Sequence, residues 1–290
     1  MGAARILSVS LSEQGGRWFA SFTCEAQRVD AAPPRAAAVG VDVGVKLLAV
    51  LSTGEMVPNP KHLSRYARRQ ARLQAELSRR RGPRKGCAPS KRGQTTKGRL
   101  ARTHTKVANA RSNGLHRLTT RLAKTHTVVV VEDLNVAGMT AAAPRGRKAG
   151  LNRAVLDAAP GELRRQLAYK TAWYSSKLVV ADRWYSSSKT GSRCQTVKAK
   201  LSLAERVYRC GQCGLVIDRD LNAARNLASL AEAVCTGTAS GAGTSWDTIP
   251  ANAHGEERSM ASARCSSTNC EDSSGQPGQT ATAAEQSTAA

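Results

Sequence analysis

An aspartate surrounded by valines and glycines is the first residue whose context favours metal chemistry. In Gly40-Val41-Asp42-Val43-Gly44-Val45, valines alternate with other residues, so a strand would place the valines on one face and Asp42 on the other. The flanking glycines leave room beside the carboxylate. An ionised carboxylate in mid-strand is unfavourable unless a positive group meets it, and a divalent metal ion does so well. The alternative is an edge strand in which Asp42 faces solvent.

A second acid, Glu132, directly follows four valines at positions 128–131. Such a short apolar run is typical of a strand that is covered on both faces. Its carboxyl end would then carry Glu132, and this is the end at which α/β sheets bind ligands. The alternatives are a solvated acid at a strand end or a cap for a following helix.

A third acid, Asp220, stands at the start of a predicted helix, in Asp218-Arg219-Asp220-Leu221-Asn222. Capping of that helix is the alternative role, because Asp is a favoured N-cap residue. The three acids together lie on a first strand, at the end of a later buried strand, and on a C-terminal helix. A metal-dependent phosphodiesterase of the RNase H type requires this order, with two Mg²⁺ ions about 4 Å apart on hard oxygen ligands.

Three of the eight cysteines have the spacing of metal ligands. Cys210 and Cys213 form a C-x-x-C knuckle followed by Gly214, and Cys194 lies upstream. A zinc ribbon needs four ligands in a tetrahedron, but the position three before Cys194 is Gly191. Two alternatives follow: zinc binding is weak or absent, or zinc is retained and its ligand set is completed by water or a remote cysteine. No ligand spacing is found for Cys24, Cys87, Cys235, Cys265 and Cys270.

A basic stretch runs from Lys61 to Arg111, with seventeen Lys or Arg residues and a single acid, Glu76. This density of one sign of charge exceeds what solubility requires. Phosphate contacts made here would supply affinity and little sequence preference. The candidate nucleic-acid contacts are Arg65, Arg68, Arg69, Arg72, Arg79, Arg80, Arg84 and Lys85.

The composition of the chain points to an anionic partner. Its 290 residues carry 44 Lys and Arg against 21 Asp and Glu, a net charge of +23, and nucleic acid is the usual partner of so basic a protein. No apolar run is long enough to span a bilayer, and residues 1–11 do not show the long apolar stretch expected of a signal peptide. The expected location is the cytoplasm, in association with the nucleoid, where cysteines act as metal ligands or free thiols.

Hydrophobic periodicity predicts an α/β chain. Predicted strands cover residues 6–11, 17–25, 39–50, 128–131 and 177–181, and the first two form a hairpin around Gln14-Gly15-Gly16. Predicted helices cover residues 63–81, 99–124, 161–176 and 220–234, with loops at 82–98 and 140–150. Residues from 235 onward contain few large apolar side chains and are expected to form a disordered tail.

With these motifs in order, the sequence resembles the TnpB (OrfB) proteins of insertion sequences, from about residue 6 to residue 230. The matching segments are Gly40-Val41-Asp42-Val43-Gly44-Val45, Val131-Glu132-Asp133-Leu134-Asn135-Val136, Leu167-Ala168-Tyr169-Lys170, Ser187-Ser188-Lys189-Thr190, Cys210-x-x-Cys213-Gly214, and Asp218-Arg219-Asp220-Leu221-Asn222-Ala223-Ala224-Arg225-Asn226.

The resemblance implies an RNA-guided DNA endonuclease, whose guide is transcribed from the element's own end. Asp42, Glu132 and Asp220 match the catalytic acids of the family, which would bind Mg²⁺ or Mn²⁺, with Asp218 as the second choice for the third position. Cys194, Cys210 and Cys213 match an incomplete zinc site. The expected partners are DNA and, in the family, a guide RNA, but no membrane.

The implied fold class is an RNase H-like (RuvC) mixed sheet with flanking helices, a long basic helical insertion and an inserted zinc-ribbon-like module. Residues 1–35 would be a β-hairpin remnant of an N-terminal barrel with a linker. Residues 36–185 would form the nuclease core, interrupted by the basic insertion at 61–124. The zinc-ribbon-like module would cover 186–217, the last RuvC segment 218–234, and the tail 235–290.

Departures from the family pattern shape the expected activity. The N-terminal recognition region and most of the guide-holding barrel have no counterpart, Gly191 replaces a cysteine, Ser186 a usual proline, and Pro160 a large aromatic residue. A truncated member would at most nick single-stranded DNA slowly and without a guide. Two alternatives are an inactive nucleic-acid-binding remnant and a zinc-ribbon RNA-binding protein of the translation apparatus. The three acids argue against the second.

Overall fold

An N-terminal hairpin begins the described part of the protein, a computed structural model that describes residues 5–26, 31–80, 90–141, 147–202 and 204–235. Strands β1 (Arg5–Gln14) and β2 (Arg17–Glu25) are antiparallel and are joined by Gly15 and Gly16. Both glycines have positive φ, 62° and 81°, which a two-residue turn of this kind requires. The hairpin prediction is confirmed. Arg84, Lys85 and all of the expected tail beyond Cys235 lie outside the described residues.

A five-stranded mixed sheet forms the centre of the described chain. Its strands are β3 (Val39–Val43), β4 (Leu47–Leu51), β5 (Met56–Pro58), β6 (Val128–Glu132) and β7 (Lys177–Ala181), in the spatial order β5-β4-β3-β6-β7. The β3–β4 and β4–β5 pairs are antiparallel, whereas β3–β6 and β6–β7 are parallel. The strand character predicted over 39–50 is found, but it belongs to two strands, β3 and β4. The chain reverses between Val43 and Leu47, and the apolar residues on both sides of this turn hide it from periodicity.

Helices cover both faces of this sheet. They are α1 (His62–Arg79), α2 (Lys91–Thr125), α3 (Val136–Thr140), α4 (Arg147–Ala158), α5 (Pro160–Trp173) and α6 (Arg219–Cys235). Val129 and Val131 of β6 pack with leucines of α2 and α5, whereas Val128 and Val130 pack with Leu227 of α6. The prediction that β6 is covered on both faces is therefore confirmed. None of the described helices is long and apolar enough to cross a membrane.

Two helix boundaries differ from their predictions. Helix α2 begins at Lys91 and not at residue 99, because the Ser90 hydroxyl caps it by accepting a hydrogen bond from the Gly93 amide at 3.1 Å. Its first turns are polar and carry no hydrophobic periodicity. Helix α4 begins at Arg147, inside the predicted loop 140–150, of which residues 142–146 lie outside the described part.

The basic helices are tied to the rest of the chain by one buried acid. Asp157, at the end of α4, pairs with Arg111 of α2 at 2.9 Å and accepts a hydrogen bond from the Leu63 amide at 2.9 Å. Since the Leu63 amide belongs to the first turn of α1, Asp157 also satisfies a donor that the helix leaves unpaired. The predicted basic helical insertion is thus an antiparallel pair of helices, α1 and α2, with a fixed attachment.

Candidate active site

The contact between β3 and α6 is unusually close at Gly40. A Cβ atom at this position would lie 2.0 Å from the carbonyl oxygen of Ala224 and 2.5 Å from the amide nitrogen of Ala228. No side chain fits there, so glycine is what allows the backbone of α6 to rest on the strand. Asp42 shares this face of β3, because residues two apart on a strand point the same way. The close contact therefore brings the start of α6 towards Asp42.

Three carboxylates line one cleft at the carboxyl ends of β3 and β6, which we call the acidic cleft. Asp42 comes from the central strand β3, Glu132 from the end of β6, and Asp220 from the first turn of α6. The cleft has a volume of about 260 Å³ and is also lined by Lys46, Ser188, Arg206 and Arg219. The structure thus brings together three residues that are up to 178 positions apart in the sequence.

Other residues take the structural roles that were alternatives for these acids. The Asp218 carboxylate accepts hydrogen bonds from the amides of Asp220 and Leu221, at 2.9 and 3.1 Å, and so caps α6. The Asn135 side chain caps α3. Strand β3 lies between β4 and β6 and is not an edge strand. Asp42, Glu132 and Asp220 are therefore left free of these structural roles.

The electrostatics of the acidic cleft disfavour ionised carboxylates in the absence of a cation. Burial, together with the negative charges of Glu132 and Asp220, raises the pKa of Asp42 to about 8. Burial also raises the pKa of Glu132, and a hydrogen bond from Ser187 partly opposes that shift. Asp220 is instead paired with Arg219, at 3.1 Å. A divalent cation would relieve this repulsion, and carboxylate oxygens are the donors that hard metal ions prefer.

Sequence reasoning missed the residues that hold Glu132 and its surroundings. The Ser187 hydroxyl donates a hydrogen bond to Glu132 Oε1. The Asn226 side chain donates to the carbonyl oxygens of Ser187 and Thr190, and the Asn222 side chain also donates to that of Thr190. Both asparagines are fully buried. Two Asn residues four positions apart on an apolar helix face were the available signal.

The cysteines converge in a small module that covers residues 186–218, which we call the cysteine module. The sulfur atoms of Cys194, Cys210 and Cys213 all lie within 4.8 Å of one another. The module also contains the antiparallel strands β8 (Val207–Arg209) and β9 (Val216–Asp218). Hydrogen bonds with Thr196 lower the pKa of Cys194 to about 6, which favours the thiolate that binds metal.

Gly191 lies beside this group of sulfur atoms. A Cβ atom there would be 3.3 Å from Cys194 Sγ and 3.1 Å from the hydroxyl of the buried Tyr208. The position is therefore close enough for a side chain to reach a shared metal. The three sulfur atoms alone do not complete a zinc tetrahedron, and zinc binding stays a prediction.

Comparisons with known proteins agree with this arrangement. Residues 21–143 match the transposon family model OrfB_IS605, described as "Probable transposase", and residues 161–227 match the model of the "Cas12f1-like, TNB domain". The chain belongs to the TnpB (OrfB) family. The two matches include Asp42, Glu132, Asp220 and the three clustered cysteines.

Curated TnpB relatives are longer than this chain. A "Putative RNA-guided DNA endonuclease" of Streptomyces pristinaespiralis is 44% identical over 225 residues, which are 77% of this chain and 52% of the relative. The "Putative RNA-guided DNA endonuclease InsQ" of Escherichia coli K12 is 34% identical over 79% of this chain and 58% of the relative. The chain spans about half the length of the curated relatives it matches.

A solved structure with a similar backbone comes from the "CRISPR-Cas12f Ternary Complex", determined by electron cryo-microscopy. It is 18% identical to this TnpB-family chain, with a TM-score of 0.49, over 73% of this chain and 42% of the other.

The predicted nucleic-acid contacts of this TnpB-family chain divide into two groups. Five arginines of α1 are exposed and point away from the core, namely Arg65, Arg68, Arg69, Arg72 and Arg79. Arg80 differs, because its guanidinium binds the Thr96 hydroxyl and lies 3.7 Å from Glu76. Arg80 therefore joins α1 to α2 and offers less to a ligand than the exposed arginines do.

Proposed function

We propose that this chain carries the nuclease centre of a transposon-encoded, RNA-guided DNA endonuclease that cleaves phosphodiesters by a metal-dependent RuvC mechanism. The observation that carries the proposal is the convergence of Asp42, Glu132 and Asp220 on one cleft, from three separate elements. Each acid also lacks the structural role that would otherwise explain it. Family membership supports DNA as the substrate, and so do the names of the relatives, which are putative RNA-guided DNA endonucleases.

The topology of the sheet supports an RNase H-like core. Three antiparallel strands, β3, β4 and β5, are followed by two strands parallel to the first, and helices cover both faces. We assign residues 36–185 and 218–234 to this core, with the basic helices at 61–124 as an insertion. Residues 186–217 then form a zinc-ribbon-like insertion placed directly before the last acid.

The residues of the acidic cleft have three different roles in the proposed reaction: metal binding, positioning of Glu132 and attraction of a phosphate. Bound Mg²⁺ or Mn²⁺ would supply an activated water and stabilise the leaving oxygen. Asp42, Glu132 and Asp220 offer the carboxylate oxygens, and Ser187 holds one oxygen of Glu132 in place. Lys46 and Arg206 line the same cleft and place positive charge where a phosphate would enter.

The basic surface supplies the affinity for nucleic acid. The exposed arginines of α1 and the net charge of +23 suit phosphate contacts on DNA and on a guide RNA. Binding should therefore weaken steeply as salt rises, because each phosphate contact releases counterions. A flat salt titration of DNA binding would contradict this role.

A cleavage assay with alanine variants tests the proposal. Purified protein is incubated with labelled single-stranded and plasmid DNA, with Mg²⁺, Mn²⁺ or a chelator, and with and without the guide RNA. Asp42→Ala, Glu132→Ala and Asp220→Ala should each lower the cleavage rate by more than about 100-fold, beyond the range typical of outer-shell partners. Glu205→Gln, at an exposed acid outside the cleft, should cleave like the wild type. Metal-dependent cleavage that survives Asp42→Ala would refute the assignment.

A second candidate is a nucleic-acid-binding protein without cleavage. It is favoured by the pairing of Asp220 with Arg219, at 3.1 Å, and with Arg206, at 3.9 Å, since these cations compete with a metal for the carboxylate. Tight binding of DNA without cleavage under any of these conditions, in the wild type as in the variants, would support this candidate.

A further inference from the structure

Trp184 has the most exposed large hydrophobic side chain among the described residues, with 86% of its surface accessible. It lies in the turn that follows β7. Tryptophan side chains are usually well buried, because their large apolar area makes exposure unfavourable. An exposed indole on a turn that other residues fix is a candidate contact for a ligand, because tryptophan combines a large flat apolar face with a polar N–H.

The turn that carries Trp184 is fixed without any help from the indole. The Trp184 amide donates a hydrogen bond to Asp182 Oδ1 at 2.7 Å, and the Tyr185 amide donates to the Asp182 carbonyl at 3.0 Å. The Tyr185 ring packs against the core beneath α6, and its hydroxyl donates to the Asn226 carbonyl at 3.1 Å. The neighbours of Trp184 thus anchor the turn, and the indole points outward from a rigid support.

On both sides of Trp184 in the sequence, residues contact Glu132 or its neighbour Asp133. Before Trp184, Arg183 pairs with Asp133 at 2.8 Å, directly next to Glu132. After it, Ser187 contacts Glu132 itself, and Ser188 lines the cleft. Trp184 therefore lies on a segment that is fixed next to Glu132 at both ends, four residues before Ser188 of the cleft lining.

We propose that Trp184 is a stacking platform for a base of single-stranded DNA whose backbone enters the acidic cleft. The proposal rests on the proposed function, since it takes DNA as the substrate. A flat aromatic ring beside positive charge is the usual means of binding single strands, because every base has a face that can stack. The bases of a duplex are already stacked on one another, so the site favours an unpaired strand.

Binding measured without divalent metal separates this proposal from catalysis. The full chain is titrated in a chelating buffer against fluorescent oligo(dT), a DNA duplex of equal length and oligo(U). Trp184→Ala should weaken oligo(dT) binding on the order of tenfold, as the loss of one stacked base does. Trp184→Phe should retain most of the affinity, and duplex binding should change less than about twofold in each variant.

Trp18 provides a matched control, because it is 73% exposed but lies on the β1–β2 hairpin. Trp18→Ala should bind oligo(dT) like the wild type. Unchanged oligo(dT) affinity in Trp184→Ala would overturn the proposal, as would an equal loss for the duplex. A loss confined to oligo(U) would assign the platform to RNA and overturn the choice of DNA. A normal loss of oligo(dT) affinity in a protein that never cleaves would leave the platform standing and refute only the nuclease function.

Discussion

The acidic cleft and the cysteine module meet at Asp218 and Arg219, where β9 ends and α6 begins, yet they are built in different ways. The acidic cleft gathers residues from β3, β6 and α6, and its full set of three acids is present. The cysteine module gathers three sulfur atoms from residues 194–213, and a Cβ at Gly191 would lie 3.3 Å from Cys194 Sγ.

Different forces hold these two regions. The acidic cleft depends on the backbone contact of α6 with Gly40, which tolerates no side chain. The cysteine module is held by the fully buried Tyr208 and by hydrogen bonds to Asn222 and Asn226 in addition to any metal. The acidic cleft therefore tolerates little change in backbone packing, whereas the cysteine module has supports that do not depend on a metal.

The largest expected effect is at Gly40. Gly40→Ala should destabilise the protein by about 3 kcal/mol or more, because the new methyl group would overlap the backbone of α6. Denaturant unfolding followed by circular dichroism measures this. Gly161→Ala is the matched control, since a Cβ there meets nothing within 4 Å and alanine favours a helix. Equal unfolding midpoints for Gly40→Ala and the wild type would show that the β3–α6 contact does not constrain the cleft.

A substitution of Asp42 is expected to have a smaller effect on stability, and to stabilise the protein rather than destabilise it. Its pKa of about 8 in the folded protein lies above the ordinary value of 3.8, so its contribution to stability is full below pH 4 and is lost as the pH rises to 8. In chelating buffer at pH 8, Asp42→Asn should therefore stabilise the protein by about 2 kcal/mol or more, below the roughly 6 kcal/mol that four pKa units of about 1.4 kcal/mol each would give without solvent screening. Thermal melts between pH 5 and pH 8 measure the difference, which should shrink towards pH 5.

Asp133→Asn is the control for the direction of the stability change in Asp42→Asn. Both Asp133 oxygens bind arginines, Arg164 at 2.6 Å and Arg183 at 2.8 Å, so its loss should destabilise the protein. Added Mg²⁺ should raise the melting temperature of the wild type at pH 8 but not that of Asp42→Asn. A destabilised Asp42→Asn protein would mean that Asp42 is already compensated without metal.

Ser187 tests how firmly the cleft holds Glu132. Ser187→Ala should weaken Mn²⁺ binding about tenfold, because outer-shell hydrogen bonds of this kind orient metal ligands. Titration calorimetry measures the affinity, and Ser187→Thr should restore it. Ser192→Ala should have no effect, since Ser192 contacts Asn222 through its backbone amide. If all four proteins bind Mn²⁺ equally, Ser187 does not position Glu132.

The smallest effect is expected from completing the cysteine module. Gly191→Cys should raise zinc affinity on the order of tenfold and bring the zinc content towards one equivalent, because a fourth thiolate completes the tetrahedron. The gain is limited by the Tyr208 hydroxyl, 3.1 Å from the new Cβ. Elemental analysis and competition with a chelator measure it. Gly191→Ser crowds Tyr208 in the same way with a poor zinc ligand and should gain nothing. Equal zinc retention in all three proteins would reveal a fourth ligand elsewhere.

The sequence by itself determined the features that depend on local pattern. The valines of β6, the glycine turn of the hairpin and the Cys-x-x-Cys knuckle each follow from spacing along a few residues. The order of the three acids was equally readable, and so was the basic character of α1 and α2. The turn between β3 and β4 was not located, because Gly44 and Lys46 are the only interruption between two valine- and leucine-rich strands.

The tertiary structure distinguishes the acid that caps a helix from the acid that lines the cleft. The resemblance favoured Asp220 over Asp218 without a physical reason, and the structure supplies one, because Asp218 caps α6 with its carboxylate while Asp220 lines the cleft. Gly40 could be recognised as a glycine beside an acid, but not as the point where α6 lies against β3. The exposure of Trp184 and the contact of Ser187 with Glu132 likewise arise from chain segments that meet only on folding. Such contacts depend on long-range packing, for which no local pattern of residues carries a signal.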